Sequence, residues 1–199
     1  MSAPISIVIP TFDSQTELAR SLMTLMEGLH AGLIRELVIA DGGSTDHTLR
    51  IADEAGARIV AGAGSRTAQL RVGCDAAVGD WLLIIRPGTE LEPGWTDAVA
   101  EHLVTQRPGV FRLGFRSSGL SPSLTAGWAN LRSRVFGLAS GDQGLLLPAQ
   151  LYKAAGGYPD QPGKEEALMR SLPRATLLRA RAITGAGRRG RTRPEAPPQ

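Results

Sequence analysis

Four clusters of polar and glycine residues follow short apolar runs, and their residue types could hold a nucleoside-sized ligand. They are Thr11, Phe12 and Asp13; Asp41-Gly42-Gly43-Ser44-Thr45-Asp46; Gly62-Ala63-Gly64-Ser65-Arg66; and Arg86-Pro87-Gly88-Thr89. The second cluster is the most informative. Asp41 offers a carboxylate that only accepts hydrogen bonds, Gly42 and Gly43 let a backbone approach a ligand, and Ser44, Thr45 or Asp46 can cap a following helix. On these six residues alone, a ligand site and an ordinary capped strand–turn–helix connection are both open. The third cluster lacks a dinucleotide-binding glycine spacing, and no Walker Gly-Lys-Ser/Thr occurs anywhere in the chain. Asp46 reads as a helix cap that complements the helix dipole, and His47 as a solvated first-turn residue. Cys74, Met23 and Met26 sit in apolar helical patterns and read as core.

The elements that must position these clusters alternate. Residues 5–10 form a β-branched run closed by Pro10, which cannot donate to a ladder, and read as a buried strand. Residues 16–29 follow with Leu18, Leu22, Leu25, Met26 and Leu29 on a helical stripe. The pattern then predicts a strand over 36–40, a helix over 46–55, a strand over 58–61, a helix over 65–77 and a strand over 81–85. Strands that are mostly apolar along their length rather than at every second residue, alternating with helices, predict an α/β fold with a mainly parallel sheet covered on both faces. In such a sheet ligands bind beyond the carboxyl ends of the strands, which is where the four clusters fall.

The second half is less regular. A helix is expected over 94–106, a strand over 110–115, a loop over 117–122 and a helix over 124–138. A strand over 143–147, a short helix to Ala155, a Gly156-Gly157 break, a helix from Glu165 and a closing strand over 175–183 complete the domain. Residues 185–199 are rich in Gly, Arg and Pro with nothing to bury, and are expected to be a disordered tail.

Composition narrows the function. The 199 residues suit a single domain, and the lone Cys74 excludes both an internal disulfide and a Cys-rich zinc site. The net charge of +3 hides an asymmetry. From Arg179 onward there are six arginines against one acid, Glu195, so the preceding 178 residues carry 16 − 18 = −2. The basic character therefore belongs to the end of the chain, which argues against a specific nucleic-acid-binding domain, and the short arginine run has no interleaved aromatics to stack on bases. It reads as a solubilising or weakly anionic-surface-seeking extension. No apolar run approaches the roughly 20 residues of a transmembrane helix, and no basic region precedes an apolar stretch at the amino terminus; a cytoplasmic protein is expected.

Taken in order, Ile-Val-Ile-Pro-Thr-Phe-Asp, Val-Ile-Ala-Asp-Gly-Gly-Ser-Thr-Asp-His-Thr, Gly-Ser-Arg-Thr-Ala-Gln-Leu and Ala-Val-Gly-Asp-Trp-Leu-Leu-Ile-Ile resemble the nucleotide-sugar half of a family-2 glycosyltransferase. The later Ala129-Asn130-Leu131-Arg132-Ser133-Arg134, Gly141-Asp142-Gln143-Gly144 and Gly156-Gly157-Tyr158-Pro159-Asp160 resemble the acceptor half of a short, soluble bacterial subgroup. The resemblance implies a single-domain GT-A fold over residues 1–184, with a nucleotide-sugar half over about 1–93 and an acceptor half over about 94–184. It further implies that the Thr11-Phe12 corner, with Asp13, Asp41 and Gly43, holds the base of a nucleoside diphosphate sugar, Asp41 accepting from a ring N–H, and that Arg66 lies near the nucleotide. Asp142 and Gln143 would meet acceptor or donor-sugar hydroxyls, although Asp142 could equally close a turn after Gly141. The donor sugar, its base and the acceptor are not specified.

Two positions depart from the family pattern. Such enzymes end the fourth strand in an acidic motif that holds a divalent cation on the donor diphosphate, and here the cation-binding aspartate falls on Gly88. Glycine offers no side-chain oxygen to Mg²⁺ or Mn²⁺, so no metal is expected in this loop. Either Arg86 takes over as a fixed charge on the diphosphate, or it only solvates a strand end and nothing replaces the cation. The acidic pair that the family uses on the acceptor falls on Glu165 and Glu166, with Glu166 as the general base; the alternative is two exposed acids favoured by a helix dipole. An inverting, metal-independent transferase and an inactive nucleotide-binding or regulatory relative are thus the two functional expectations.

Overall fold

The computed structural model describes residues 3–62, 64–115 and 143–185. The expected helix over 124–138, Asp142 and residues 186–199 of the expected tail lie outside the described residues. Among the described residues, eight strands form one sheet in the order β3-β2-β1-β4-β7-β6-β8-β5. They are β1 (Ile5–Thr11), β2 (Ile34–Asp41), β3 (Arg58–Ala61), β4 (Trp81–Ile84), β5 (Glu90–Leu91), β6 (Gly109–Phe115), β7 (Leu145–Pro148) and β8 (Thr176–Thr184). Strands β3, β2, β1 and β4 are mutually parallel, β7 runs against β4 and β6, and β5 runs against β8, while β6 and β8 are parallel. Six of the eight strands therefore point the same way, as the apolar runs predict.

Six helices cover the sheet among the described residues: α1 (Gln15–His30), α2 (Thr48–Glu54), α3 (Arg66–Ala76), α4 (Trp95–Leu103), α5 (Ala149–Ala154) and α6 (Glu165–Ser171). Successive strand residues serve opposite faces. Ile7, Ile9, Ile39, Leu83 and Leu146 pack with Leu18 and Leu25 of α1, Ala52 of α2, and Trp95 and Val99 of α4. Val8, Val38, Leu82, Ile84 and Leu147 pack on the other face with Leu70 and Cys74 of α3, Tyr152 of α5 and Leu168 of α6. The chain thus places α3 and the 152–171 segment, far apart in sequence, on the same side of the sheet.

Two readings of the sequence change. The buried stripe of α1 is Leu18, Ser21, Leu25 and Gly28, so Met23 (77% exposed), Met26 and Leu29 face solvent rather than core. The cause is α4. The Trp95 ring lies so close over Gly28 that a Cβ there would sit 2.5 Å from it, and Trp95 Nε1 donates to Thr24 O at 3.1 Å. Small residues, not methionines, are what that contact requires. Strand β5, only two residues long, is also absent from the sequence reading; it forms by pairing Glu90 and Leu91 with Ile183 and Ala182 at the sheet edge. Cys74 is buried as expected, and burial, with the Asp75 carboxylate next to it, pushes its thiol up.

Candidate functional site

The order β3-β2-β1-β4 reverses direction at β1: the chain steps outward to β2 and β3, then returns to the other side of β1 for β4. The carboxyl ends of β1 and β4 flank this switch point, where an open α/β sheet leaves a crevice. Thr11, Asp41, Gly62 and Arg86 all stand at or just beyond the ends of these parallel strands.

Backbone and side-chain bonds stitch the tips together. Gly42 N donates to Thr11 O at 2.8 Å and Gly62 N to Asp41 O at 2.7 Å. The Asp41 carboxylate, 5% exposed, accepts four bonds: from Thr11 Oγ1 and Ser44 Oγ on one oxygen, and from the amides of Gly43 and Ser44 on the other. An ionised carboxylate has about four lone-pair sites. All of Asp41's are used inside the protein, which explains how a charged group tolerates burial here. A role for Asp41 as acceptor of a ring N–H requires one of the two hydroxyl donors to turn away. Gly43 takes φ +95, a left-handed conformation that keeps its amide aimed at Asp41.

Asp13 also adopts positive φ (+43), a region where aspartate is better tolerated than most residues. Its amide donates to Ser44 Oγ and its carboxylate accepts from Thr45 N, so the Thr11-Phe12-Asp13 corner is locked to the turn after β2. Asp46 does more than cap one helix. It accepts from Thr48 N and Oγ1 at the start of α2 and from Gln15 N at the start of α1. Burial pushes its carboxyl up, but the Thr48 hydroxyl and the amides of Thr48 and Gln15, with His47 nearby, outweigh it and hold it below its usual range. His47 stands at the N-cap of α2 and is exposed.

One residue beneath the tips has no role assigned by sequence. Gln69 of α3, 5% exposed, donates from Nε2 to Thr11 O at 3.1 Å and packs so tightly under Gly42 and Gly62 that a Cβ at either would sit 2.0 or 2.7 Å from it. Its signal is an amide on the buried face of α3, one helical turn (i, i+4) before Gly73. Gln69 makes α3 a beam under the strand ends.

The same helix carries Arg66. Ser65 caps α3 by accepting from Ala68 N, and the Arg66 side chain, 14% exposed, turns to Glu165. Its Nε lies 3.2 Å from both Glu165 oxygens. Thr67 Oγ1 accepts from Gly163 N at 3.2 Å, Arg71 Nη1 donates to Asp160, and Tyr152 Oη donates to Asp75 Oδ1 at 3.0 Å. A ladder of contacts thus runs the length of α3, fixing the 152–165 segment against it. Tyr158 is buried within the ladder, and burial, with Cys74 and Glu165 nearby, pushes its phenol well up despite the Arg66 charge. The two adjacent acids diverge: Glu165 faces Arg66, whereas the Glu166 side chain is 73% exposed and pairs with Arg170 one turn on. Gln143 is fully buried and donates to Phe111 O at 3.3 Å.

The loop after β4 does not suit a divalent cation. Gly88 has φ +82, brings no oxygen side chain and spends its amide on Glu17 O and Ser21 Oγ, both at 2.9 Å. A side chain there would begin 3.4–3.5 Å from the Glu17 stem. The half-buried Arg86 puts a permanent positive charge in the same turn, and among the described residues no three His, Cys, Asp or Glu cluster as metal ligands. The buried Thr89 hydroxyl makes no hydrogen bond among the described residues.

This architecture is similar to several solved glycosyltransferase structures of the GT-A fold. Staphylococcus aureus TarS 1-349 in complex with UDP-GlcNAc superimposes with a TM-score of 0.70 at 16% identity, over 94% of this chain and 60% of that one. The complex of the same protein with UDP gives 0.69 at 17% identity, over 92% and 61%. Glucosyl-3-phosphoglycerate synthase from Mycobacterium tuberculosis, in complex with Mn²⁺, UDP and glucosyl-3-phosphoglycerate, gives 0.62 at 21% identity, over 96% and 73%. The chain therefore spans about 60% of the length of TarS 1-349. A search of curated proteins finds no match to the sequence. No described helix is long and apolar enough to cross a membrane. Residues 6–125, more than half of the chain, match the family model described as glycosyl transferase family 2, and the chain belongs to that family.

Proposed function

We propose that the chain transfers a sugar, with inversion, from a nucleoside diphosphate sugar to an acceptor hydroxyl. The observation that carries this reading is the meeting of Arg66, beyond the β3 tip, with Glu165 of the acceptor half at 3.2 Å. A cation suited to a diphosphate there meets Glu165, the sequence neighbour of the acid assigned to the acceptor hydroxyl. A uridine nucleotide is the first candidate, because the TarS and glucosyl-3-phosphoglycerate synthase complexes hold UDP or UDP-GlcNAc. A bacterial setting belongs to the same reading, supported by the bacterial origin of those proteins, and a cytoplasmic one is proposed with it.

In this mechanism Thr11, Phe12, Asp13 and Gly43 line the base corner, with Asp41 setting its shape. Arg66 and Arg86 pair with the diphosphate, guanidinium forks substituting for a cation that Gly88 cannot bind. Glu166, whose carboxylate reaches solvent, takes the acceptor proton. The acceptor oxygen attacks the anomeric carbon from the side opposite the diphosphate, the carbon–oxygen bond to the leaving group breaks, and its electron pair leaves on the diphosphate. Asp142 and Gln143 are assigned to the sugar or acceptor side, and residues 1–93 and 94–184 to donor and acceptor halves.

The loss of a cation ligand at Gly88 favours a second reading, a relative that keeps the nucleotide pocket without turnover. Incubation with UDP-, GDP- and dTDP-sugars, with and without chelator and Mn²⁺, separates the two. Release of nucleoside diphosphate unaffected by chelator supports the transferase with arginines on the diphosphate. Nucleotide binding without release from any donor supports the inactive relative.

A further inference from the structure

We propose that Glu165 is a built-in competitor of the donor: its carboxylate pairs with Arg66 and is displaced when a diphosphate arrives. This inference rests on the donor reading above and adds an order of events to it. Its basis is geometric. Arg66 opens α3, directly after the glycine-containing connection from β3, and the same helix contacts the β1 tip through Gln69. A diphosphate on the strand tips therefore meets the first turn of α3. The one side chain there that can pair with it in a fork already faces both oxygens of Glu165, in a pair that is mostly shielded from solvent, with side-chain exposures of 14% and 26%. A carboxylate and a phosphate are alternative ligands for the same guanidinium edge.

What happens to Glu165 on release is also set by the fold. Thr67 Oγ1, fully buried, holds Gly163 N, and Arg71 holds Asp160, so the start of α6 stays docked on α3 after Arg66 turns away. Thr67 is thereby a positioning residue for the acidic pair. The Glu165 carboxylate is thus freed from Arg66 only when a diphosphate is in place.

Competition predicts a change whose sign a structural clamp does not produce. Calorimetric titration of the whole chain with uridine diphosphate and with uridine gives the test. If Glu165 competes, Glu165→Gln binds uridine diphosphate about three- to tenfold more tightly, the range expected from removing a partly exposed ion pair, and binds uridine unchanged. Arg66→Met weakens uridine diphosphate at least tenfold, leaves uridine unchanged, and cancels the tightening in the double variant. Uridine diphosphate affinity that is unchanged or weaker in Glu165→Gln, or equal tightening for uridine, overturns the proposal while leaving the donor reading intact. Absence of binding by wild type to uridine, guanosine and thymidine diphosphates overturns both. Should Glu165→Gln not fold, Glu165→Ala carries the same expectation, and Arg66→Met alone still decides whether the guanidinium faces the diphosphate: no loss of affinity there contradicts the proposal.

Discussion

The Thr11 hydroxyl donates to Asp41 Oδ1 at 2.8 Å across the ends of two parallel strands, with both residues buried. Three further donors complete the shell of that carboxylate. Replacing it by an amide puts an N–H₂ against donors and leaves buried amides or hydroxyls unmatched. Asp41→Asn is therefore expected to cost about 2–4 kcal/mol of stability, and Thr11→Val about 1–2 kcal/mol. Urea unfolding of both variants checks this. Asp41→Asn of wild-type stability but weakened nucleotide affinity would instead give the carboxylate to the ligand.

Two carboxylates tie helix starts to their surroundings and set the acid limit of the fold. Glu27 accepts from Gly94 N, Thr96 N and Thr96 Oγ1 at the start of α4. Burial pushes its carboxyl up, but the Thr96 hydroxyl and the two amides outweigh burial and leave it below its ordinary 4.5. Asp46 lies below its ordinary 3.8 for the corresponding reasons. A carboxyl depressed in the folded state contributes its stability fully above the unfolded value and loses it as pH falls through the folded one. Stability should thus be level near neutrality and decline below about pH 4.5 as Glu27 and Asp46 protonate. In Glu27→Gln the decline should be shallower and begin lower. Denaturation midpoints at intervals from pH 6 to pH 3 measure both slopes.

How much of this was legible in the sequence depended on whether one residue type could signal its own surroundings. The apolar runs of β1, β2 and β4 announce a sheet covered on both faces, because burial on both faces is what tolerates four or five such residues in a row. Asp41-Gly42-Gly43 announces a strand-end turn because its glycines and carboxylate are costly anywhere else. Arg66, Glu165 and Gln69 are different. The resemblance points to Arg66 and Glu165 separately, but their pairing, and the support Gln69 gives the strand tips, appear only once α3 is packed against the sheet and the segment before α6 against α3, by contacts between residues as far as about 100 apart in the chain. The exposed Met23 and Met26 have the same origin, since nothing within α1 reveals that a tryptophan from α4 occupies the stripe at Gly28.

Restoring the family's aspartate at Gly88 should not restore a metal site. The left-handed φ of +82 strains any side chain, and the Glu17 stem stands 3.4–3.5 Å from the new Cβ. Gly88→Asp is expected to lose about 1–3 kcal/mol of stability, and Gly88→Ala to lose most of that through backbone strain alone. Thermal scans of both variants with and without Mn²⁺ test the point: a melting temperature for Gly88→Asp that rises with Mn²⁺ would show that the loop can take a cation after all.

The two acids of α6 should separate kinetically. Glu166→Gln removes the assigned base and is expected to lower kcat by about a hundredfold or more with little change in donor KM. Glu165→Gln should shift donor binding, as argued above, with a smaller loss in kcat. Steady-state kinetics on whichever donor the wild type turns over provide the comparison. Equal losses in both variants, or none in Glu166→Gln, would remove Glu166 from the base role.

The claim on which everything else stands is that the ends of β1, β2, β3 and β4 cradle a nucleotide sugar. A crystal of the chain soaked with a uridine diphosphate sugar measures it directly. Density for the nucleotide is expected in the crevice between β1 and β4, with its base at the Thr11-Phe12 corner, its diphosphate within hydrogen-bond reach of Arg66, and Glu165 turned away. Density elsewhere on the molecule would contradict it; a bound diphosphate with the Arg66–Glu165 pair still at 3.2 Å would overturn only the competition between Glu165 and the donor.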